Sequence, residues 1–203
     1  LVLSKRRDPK EYQEVIISNL EEINYMSKVL EDLFVLSRSD ENQILLNYKR
    51  MDLRDLVEEV CRHAEILAEE KDISIVIAFL EQVEINGDEV RLRQMVWNIL
   101  HNGIKYTQPG GELKVSLLEE SGFALLSIQD TGIGIPEKNL PFIFDRFYRV
   151  DKARSKDEGG SGLGLSICKH IAEAHKGKIE VESKTGIGTR FKIRIPSTAS
   201  AAS

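Results

Sequence analysis

Apolar side chains recur every three or four residues along some stretches of the chain and every second residue along others. The first spacing is typical of helices with one buried face, and the second is typical of strands. The longest helical stretch covers residues 10–38, contains no glycine or proline, and follows Asp8 and Pro9, which suit an N-cap and a first helical position. Its apolar positions are Val15, Ile16, Ile17, Leu20, Ile23, Met26, Leu30, Leu33 and Phe34.

So broad an apolar face on one long helix requires partner helices, because a single helix with such a face is not stable alone in water. The simplest solution is a helical hairpin that dimerises into a four-helix bundle. The alternative is a helix that packs on its own domain.

The rest of the chain predicts strands and helices in a mixed order, after a polar linker at residues 37–43. We expect strands at 44–51, 73–79, 112–118, 123–129, 178–183 and 189–195, a turn at 86–88, and helices at 53–70, 91–107 and 161–175. This order predicts an α+β fold, a two-layer α/β sandwich, over residues 44–197. The preceding residues 1–40 form the predicted bundle-forming segment.

The helix predicted at residues 91–107 has an unusual polar face. Asn98 and Asn102 lie one turn apart, and Lys105 follows three residues later. Asparagine is a poor helix former, but its amide oxygen suits a hard cation such as Mg²⁺, which usually shares its site with phosphates. The pattern therefore favours a cation and phosphate site, with a solvated helix face that happens to hold two asparagines as the alternative.

The amino-acid composition limits the classes of function that the chain can have. The chain has 203 residues, of which 41% are hydrophobic and 30% charged, as in an ordinary water-soluble protein of one or two domains. The net charge of −5 argues against a general nucleic-acid binder. Cys61 and Cys168 lie far apart without metal-ligand spacing, which fits a reducing, cytoplasmic setting.

The chain shows neither an apolar run of about twenty residues nor a signal peptide, so we expect no membrane-spanning segment within it. Its first residues, LVLSKRR, read as though cut from a longer protein.

Two glycine-containing stretches follow predicted elements in positions that suit ligand binding. The first, DTGIGIP, begins at Asp130, directly after a strand, and this carboxylate could accept a hydrogen bond from an exocyclic amine. A loop that simply turns is the alternative. The second, GGSGLGL, begins at Gly159 before a helix, which makes it a candidate anion site. It lacks the ending of a P-loop and the spacing of a dinucleotide-binding fold.

Some twenty residues without clear secondary structure lie between these two stretches. A segment of that length inside a compact domain suggests a lid. Its aromatic residues would hold it to the body, and Arg146 or Arg149 could reach a phosphate. We expect residues 155–159 to be mobile. The aromatic residues are Phe142, Phe144, Phe147 and Tyr148.

The chain resembles a known family through four stretches taken together. In order and spacing, they resemble the N, G1, F and G2 boxes of sensor histidine kinases: NILHNGIKYT, DTGIGIP, FIFDRFYRVD and GGSGLGLSI. The resemblance runs from about Tyr48 to Pro196. The preceding residues 9–37 resemble the second helix of that family's dimerisation and phosphoacceptor domain.

This resemblance implies a Bergerat-type ATP-binding fold and protein-histidine kinase activity. The γ-phosphate of ATP would pass to a histidine and then to an aspartate of a cognate response regulator. ATP or ADP and Mg²⁺ are the implied ligands, and the full-length protein would be a homodimer through its helical bundle. The chain would be the cytoplasmic part of a sensor anchored in the membrane by upstream segments.

The resemblance also implies roles for individual residues. Asn102, assisted by Asn98, would coordinate Mg²⁺, and Asp130 would accept a hydrogen bond from the adenine N6 amine. The catalytic residues would be Asn98, Lys105 and Arg149. The residues implied to bind the nucleotide are Asn98, Asn102, Lys105, Tyr106, Asp130, Gly132, Ile133, Gly134, Ile135, Tyr148, Arg149, Gly160, Ser161, Gly162, Leu163, Gly164, Leu165 and Thr189.

Two features separate the chain from related patterns. The wider superfamily of gyrase-, Hsp90- and MutL-like ATPases has a glutamate where this chain has Asn98. A carboxylate can activate water and an amide cannot, so we expect kinase rather than ATPase behaviour.

The second feature is that no histidine matches the family's phosphoacceptor box. His63, His101, His170 and His175 lie in other contexts, so we expect the acceptor upstream of residue 1 and no autophosphorylation of this chain. The alternative function is a nucleotide-binding regulatory or docking module that transfers no phosphate.

Overall fold

The computed structural model describes residues 46–150 and 161–199 and seven residues of the N-terminal segment. Those seven are all helical, and they are Tyr12, Gln13, Ile16, Ile17, Asn19, Ile23 and Met26. The large apolar side chains among them are more than half exposed. The remaining residues of the predicted N-terminal helix, and the predicted linker at residues 37–43, lie outside the described part of the chain.

The described domain contains seven strands and three α-helices. In chain order these are β1 (Lys49–Asp52), α1 (Leu53–Glu69), β2 (Ser74–Leu80), β3 (Glu84–Gly87), α2 (Glu89–Tyr106), β4 (Glu112–Glu120), β5 (Phe123–Asp130), α3 (Gly164–Ala174), β6 (Lys178–Lys184) and β7 (Gly188–Pro196). A short 3-10 helix at Glu137–Phe142 lies between β5 and α3. None of the described helices is long and apolar enough to cross a membrane.

Five of the strands form one sheet in the order β2-β4-β5-β7-β6. β2 runs parallel to β4, and the other neighbours pair antiparallel. Along β5 every second residue is buried, so this strand has one face in the core and one facing outward. The three helices supply the apolar side chains that cover the buried face. The predicted α+β, two-layer sandwich is therefore confirmed.

Two aspartates set where the first helices begin. Asp52 Oδ1 accepts hydrogen bonds from Arg54 N at 3.0 Å and Val83 N at 3.1 Å, which caps α1 and links it to the start of β3. Asp88 Oδ1 accepts from Arg91 N at 3.1 Å and caps α2. The position of the asparagine-bearing helix is thus fixed at its first turn.

Several predicted boundaries were wrong. The strand predicted at 44–51 begins only at Lys49, and residues 84–87 form β3, paired with β1, where the sequence predicted only a turn. The segment predicted to lack secondary structure contains the 3-10 helix. The helix predicted at 161–175 begins at Gly164, because Gly162 before it has a positive φ and forms a turn.

Candidate functional site

Asp130 is the last residue of β5 and lies on the buried face of the sheet, with 8% of its surface exposed. Its Oδ1 accepts hydrogen bonds from Gly132 N at 2.8 Å and Thr189 N at 3.1 Å. Burial raises the pKa of this carboxyl, and the two backbone N–H groups partly oppose the rise. Oδ2 has no hydrogen-bond partner within the described residues, so it remains a strong acceptor in a largely buried place.

Thr189 lies opposite Asp130 on the neighbouring strand β7. Its hydroxyl lies 2.9 Å from Ser183 Oγ on β6. Ser183 Oγ also lies 2.9 Å from Gly188 O and accepts a hydrogen bond from Ile135 N at 2.8 Å. Ser183 was missed by sequence reasoning, because nothing in its local sequence shows that it meets a loop 48 residues earlier in the chain.

The loop after Asp130 is held between α2 and the β6–β7 hairpin. Ile133 N donates to Tyr106 O at 3.1 Å, and Gly186 N donates to Ile133 O at 2.8 Å. Gly134 has a φ of +68°, and a Cβ there would lie 2.1 Å from Lys184 O. This position therefore requires glycine. Ile133 is exposed, whereas Ile135 is half-buried against the core.

The polar face of α2 carries the amides and the lysine predicted from the sequence. Asn98 is 8% exposed, and its Nδ2 donates to Gly164 O at 3.4 Å, which links this face to the first residue of α3. Asn102 and Lys105 are half-buried. Lys105 Nζ lies 5.4 Å from the ring centroid of the exposed Tyr106.

The second glycine stretch forms a tight turn before α3. Gly162 has a φ of +71°, and its carbonyl accepts a hydrogen bond from Phe147 N at 3.0 Å. The side chain of Leu163 is wholly buried in the core, and that of Leu165 is half-buried against the core. Ser161 Oγ accepts from Leu163 N at 3.3 Å.

Within the described chain, no side chain caps the N-terminus of α3. Its first N–H groups and the positive end of its dipole are therefore available to an anion. Gly160 lies outside the described residues, as does the segment predicted to be mobile.

The side chain of Tyr148 is held by two residues of the 3-10 helix. Asn139 Nδ2 donates to the Tyr148 hydroxyl at 2.9 Å, and the Tyr148 ring lies 5.8 Å from that of Phe142. Asn139 is buried and was missed by sequence reasoning. Arg149, the next residue, is half-buried.

α2 connects the two halves of the site. Asn98 contacts the start of α3, and Tyr106 contacts the loop after Asp130. Eight residues separate these contacts, which is about 12 Å along a helix. The site thus offers a buried acceptor at one end and amides, a lysine and a helix N-terminus at the other.

No cluster of three or more histidine, cysteine, aspartate or glutamate side chains that could hold a metal ion occurs among the described residues. The ligands that this site offers to a cation are amide oxygens. Asn98 Oδ1 has no hydrogen-bond partner in the described part of the chain, so it fits a hard cation that keeps part of its water shell.

Of the four histidines, His175 has the clearest structural role. It is buried after the end of α3, donates from Nδ1 to Ile171 O at 2.8 Å, and accepts at Nε2 from Asp88 N at 2.9 Å. Burial lowers its pKa, against the opposing effects of the Ile171 hydrogen bond and the Asp88 charge. A neutral imidazole therefore joins the end of α3 to the start of α2.

This combination of elements matches a known family. The model of the family described as "Histidine kinase-, DNA gyrase B-, and HSP90-like ATPase" matches residues 87–199, more than half of the chain. The chain belongs to this family of ATPases. The matched range includes every site residue placed above, from Asn98 on α2 to Thr189 on β7.

Known histidine kinases resemble the chain in both sequence and structure. The chain is 37% identical over 196 residues to the sensor histidine kinase CusS of Escherichia coli O157:H7, a match that covers 97% of this chain and 40% of that protein. The chain thus spans about 40% of the length of this curated relative.

Two solved structures extend the comparison. The Acinetobacter baumannii histidine kinase AdeS superposes with a TM-score of 0.76 at 26% identity, covering 96% of this chain and 87% of AdeS. Full-length ShkA in complex with AMPPNP superposes with a TM-score of 0.81 at 26% identity, covering 96% of this chain and 40% of ShkA. The membership predicted from the four sequence boxes is confirmed.

Proposed function

We propose that this chain is the ATP-binding catalytic module of a sensor histidine kinase. It would transfer the γ-phosphate of ATP to a histidine outside these 203 residues, for relay to a response-regulator aspartate. The observation that carries this proposal is the buried Asp130 carboxylate, whose Oδ1 is held by two backbone N–H groups while Oδ2 has no partner within the described residues.

Asp130 Oδ2 is suited to accept a hydrogen bond from the N6 amine of adenine. The 6-oxo group of guanine is itself an acceptor and would face the carboxylate without a proton between them. Burial strengthens both the attraction between the carboxylate and the N6 amine and its repulsion of a 6-oxo group, because little water screens these charges. The site therefore favours ATP over GTP, with Gly132 and Gly134 shaping the loop beside the ring and Thr189 beneath it.

The other end of the site is suited to the phosphates. Asn102 and Asn98 would hold Mg²⁺ through their amide oxygens, and the ion, when bound, neutralises phosphate charge. Lys105 and Arg149 would add positive charge, and the N-terminus of α3 would donate backbone N–H groups. These groups act by positioning and charge stabilisation, with no covalent step on this chain.

Asn98 also bears on the reaction type. Its side chain is an amide, with Nδ2 held by Gly164 O, so it cannot act as a general base toward water. We infer that transfer to a histidine is favoured over hydrolysis.

The organisation of the full-length protein is part of the same proposal. Residues 1–40 would belong to the dimerisation and phosphoacceptor domain, and residues 44–197 would form the catalytic domain. The full-length protein would be a homodimer that works with a response regulator, with this part in the cytoplasm. The exposed apolar side chains of Ile16, Ile23 and Met26 support a helix that packs against partner helices.

Phosphorylation in trans tests this function. The chain is incubated with Mg²⁺, γ-labelled ATP and the separately produced histidine-bearing bundle of a relative such as CusS. We expect acid-labile, base-stable label on the bundle. Label should be absent when the acceptor histidine of the bundle is replaced by alanine, and strongly reduced with the Asn102→Ala variant. Binding of ATP without transfer to any bundle would instead support the regulatory or docking module.

A further inference from the structure

Ser183 lies where three parts of the site meet, although it is not itself part of the predicted site. It belongs to β6, at the edge of the sheet, beside the β6–β7 turn. Its hydroxyl oxygen lies within 2.9 Å of Ile135 N, Gly188 O and Thr189 Oγ1. One small side chain therefore joins the loop after Asp130 to the threonine opposite Asp130.

Counting the protons gives one arrangement in which all three of these contacts are hydrogen bonds. A serine hydroxyl has one proton to donate and can accept twice. Ile135 N–H can only donate, and Gly188 O can only accept. When Ser183 donates to Gly188 O, all its contacts are satisfied only if the Thr189 hydroxyl donates its proton to Ser183 Oγ. Thr189 then has no proton left for a ligand and can act toward it only as an acceptor.

This arrangement places two acceptors on adjacent strands. Asp130 Oδ2 has no partner in the described structure, and Thr189 Oγ1 lies on the residue paired with Asp130. An amine at position 6 of a purine satisfies two acceptors, whereas a 6-oxo group satisfies neither. If the Ser183 hydroxyl were absent, the Thr189 hydroxyl could rotate and donate a proton to a 6-oxo group.

We infer that Ser183 is a positioning residue that determines purine specificity by keeping the Thr189 hydroxyl oriented as an acceptor. It also holds the loop after Asp130 through Ile135 N. This inference rests on the proposed function, since it assumes that a purine nucleotide occupies the site.

Calorimetric titration with Mg²⁺-ATP and Mg²⁺-ITP tests the inference, because hypoxanthine differs from adenine in carrying a 6-oxo group and a proton on N1. For Ser183→Val we expect ATP affinity to fall by about tenfold, as for the loss of one or two hydrogen bonds. ITP affinity should fall less, so the preference for ATP decreases. Ser183→Thr keeps the hydroxyl and should keep the preference.

Two further variants separate positioning from a general effect on folding. Ser116→Val makes the same substitution on β4, at a residue with no side-chain hydrogen bond in the described structure, and should leave both affinities unchanged. In a Thr189→Val background, Ser183→Val should lower both affinities without changing their ratio further, because the hydroxyl that it orients is gone. Urea unfolding shows whether each variant is folded. If Ser183→Val does not fold, Ser183→Ala replaces it, and we expect the same changes in ATP and ITP affinity.

The outcomes are distinguishable. If the unmodified chain binds ATP and Ser183→Val leaves the preference for ATP over ITP unchanged, the inference about Ser183 is wrong and the proposed function stands. If the unmodified chain binds no ATP, the proposed function is wrong and this inference fails with it.

Discussion

The negative charge of Asp130 does not stabilise the domain when no ligand is bound. Burial raises its pKa, and the two backbone N–H groups only partly oppose that rise. For an acid whose pKa is raised on folding, the stabilising contribution is fully present below the unfolded pKa and is lost as the pH rises through the folded value. At neutral pH the domain is therefore less stable with the ionised carboxylate than it would be with the protonated carboxyl.

We accordingly expect Asp130→Asn to leave the free energy of unfolding at pH 7 unchanged or to increase it. The asparagine oxygen can still accept from Gly132 N and Thr189 N, while the charge is removed. Urea unfolding measures the effect, with Asp145→Asn, at an exposed position, as the matched control. A loss of more than about 1 kcal/mol, the net value of one hydrogen bond, would show that the charge stabilises the unliganded domain.

Gly134 illustrates how closely the loop after Asp130 approaches the β6–β7 hairpin. Gly134 and Gly186 both have a positive φ, of +68° and +77°. Of these two glycines, a Cβ would clash with neighbouring backbone at Gly134, whereas it would meet nothing within 4 Å at Gly186. We expect Gly186→Ala to cost about 1 kcal/mol from the left-handed backbone alone. Gly134→Ala should cost about 1–3 kcal/mol more, because Lys184 O lies where the methyl group would be.

Unfolding in urea compares the two glycine variants directly. Equal losses would show that the loop can move away from Lys184 and that its position is not fixed by this contact. ATP titration of the same two variants shows whether the fixed loop also matters for binding. We expect the larger decrease in affinity for Gly134→Ala.

At the scale of elements, His175 joins parts of the chain that are distant in sequence. It accepts from Asp88 N at the start of α2, and its ring lies 5.5 Å from that of Tyr48 in an edge-on arrangement. Tyr48 donates to Ala174 O at 2.6 Å, and Asn47 N donates to Asp88 Oδ2 at 2.9 Å. The residues that enter the domain, the start of α2 and the end of α3 are thus connected around one neutral imidazole.

This connection predicts a pH dependence of stability. Folding lowers the pKa of His175 below its ordinary 6.5. The neutral imidazole's contribution is therefore fully present above pH 6.5 and is lost as the pH falls through the lowered folded value. Protonation also removes the acceptor for Asp88 N. We expect the urea midpoint to decrease between about pH 7 and pH 5.5, before most carboxylates titrate.

The titratable groups that face His175 are Asp88 at the start of α2 and Tyr48 before β1. His175→Gln keeps one donor and one acceptor without a titrating group, so its stability should depend less on pH over this range. His63→Gln, at an exposed position on α1, serves as the control and should keep the full dependence. The same pH dependence in all three proteins would mean that His175 is not its source.

The sequence was informative where a pattern is local and incomplete where contacts join distant segments. The local pattern predicts the strand β5 and places Asp130 at its end, whereas the burial of this carboxylate is seen only in the fold. β3 was missed because its four residues end in Asn86 and Gly87, a strong turn signal, whereas its strand pairing comes from β1. The hydrogen bonds of Ser183 and Asn139 depend on folded neighbours, so no local pattern could indicate them.

At the scale of the whole molecule, the described domain brings the two ends of the candidate site together. The five-stranded sheet places Asp130 and Thr189 side by side, and α2 connects that end to the start of α3. The chain corresponds to about 40% of the length of the curated relative CusS. We therefore propose a catalytic module that receives its acceptor histidine from another part of the full-length protein.

Calorimetric titration of ATP into the unmodified chain and into Asp130→Asn, with Mg²⁺ present, tests most directly whether Asp130 binds adenine. We expect ATP to bind the unmodified chain. Affinity should fall by about 10- to 100-fold in the variant, since a hydrogen bond to a charged acceptor is lost and an amide donor would face the N6 amine. Equal affinity of the two proteins for ATP would contradict the assignment of Asp130 as the adenine acceptor, and with it the proposed site.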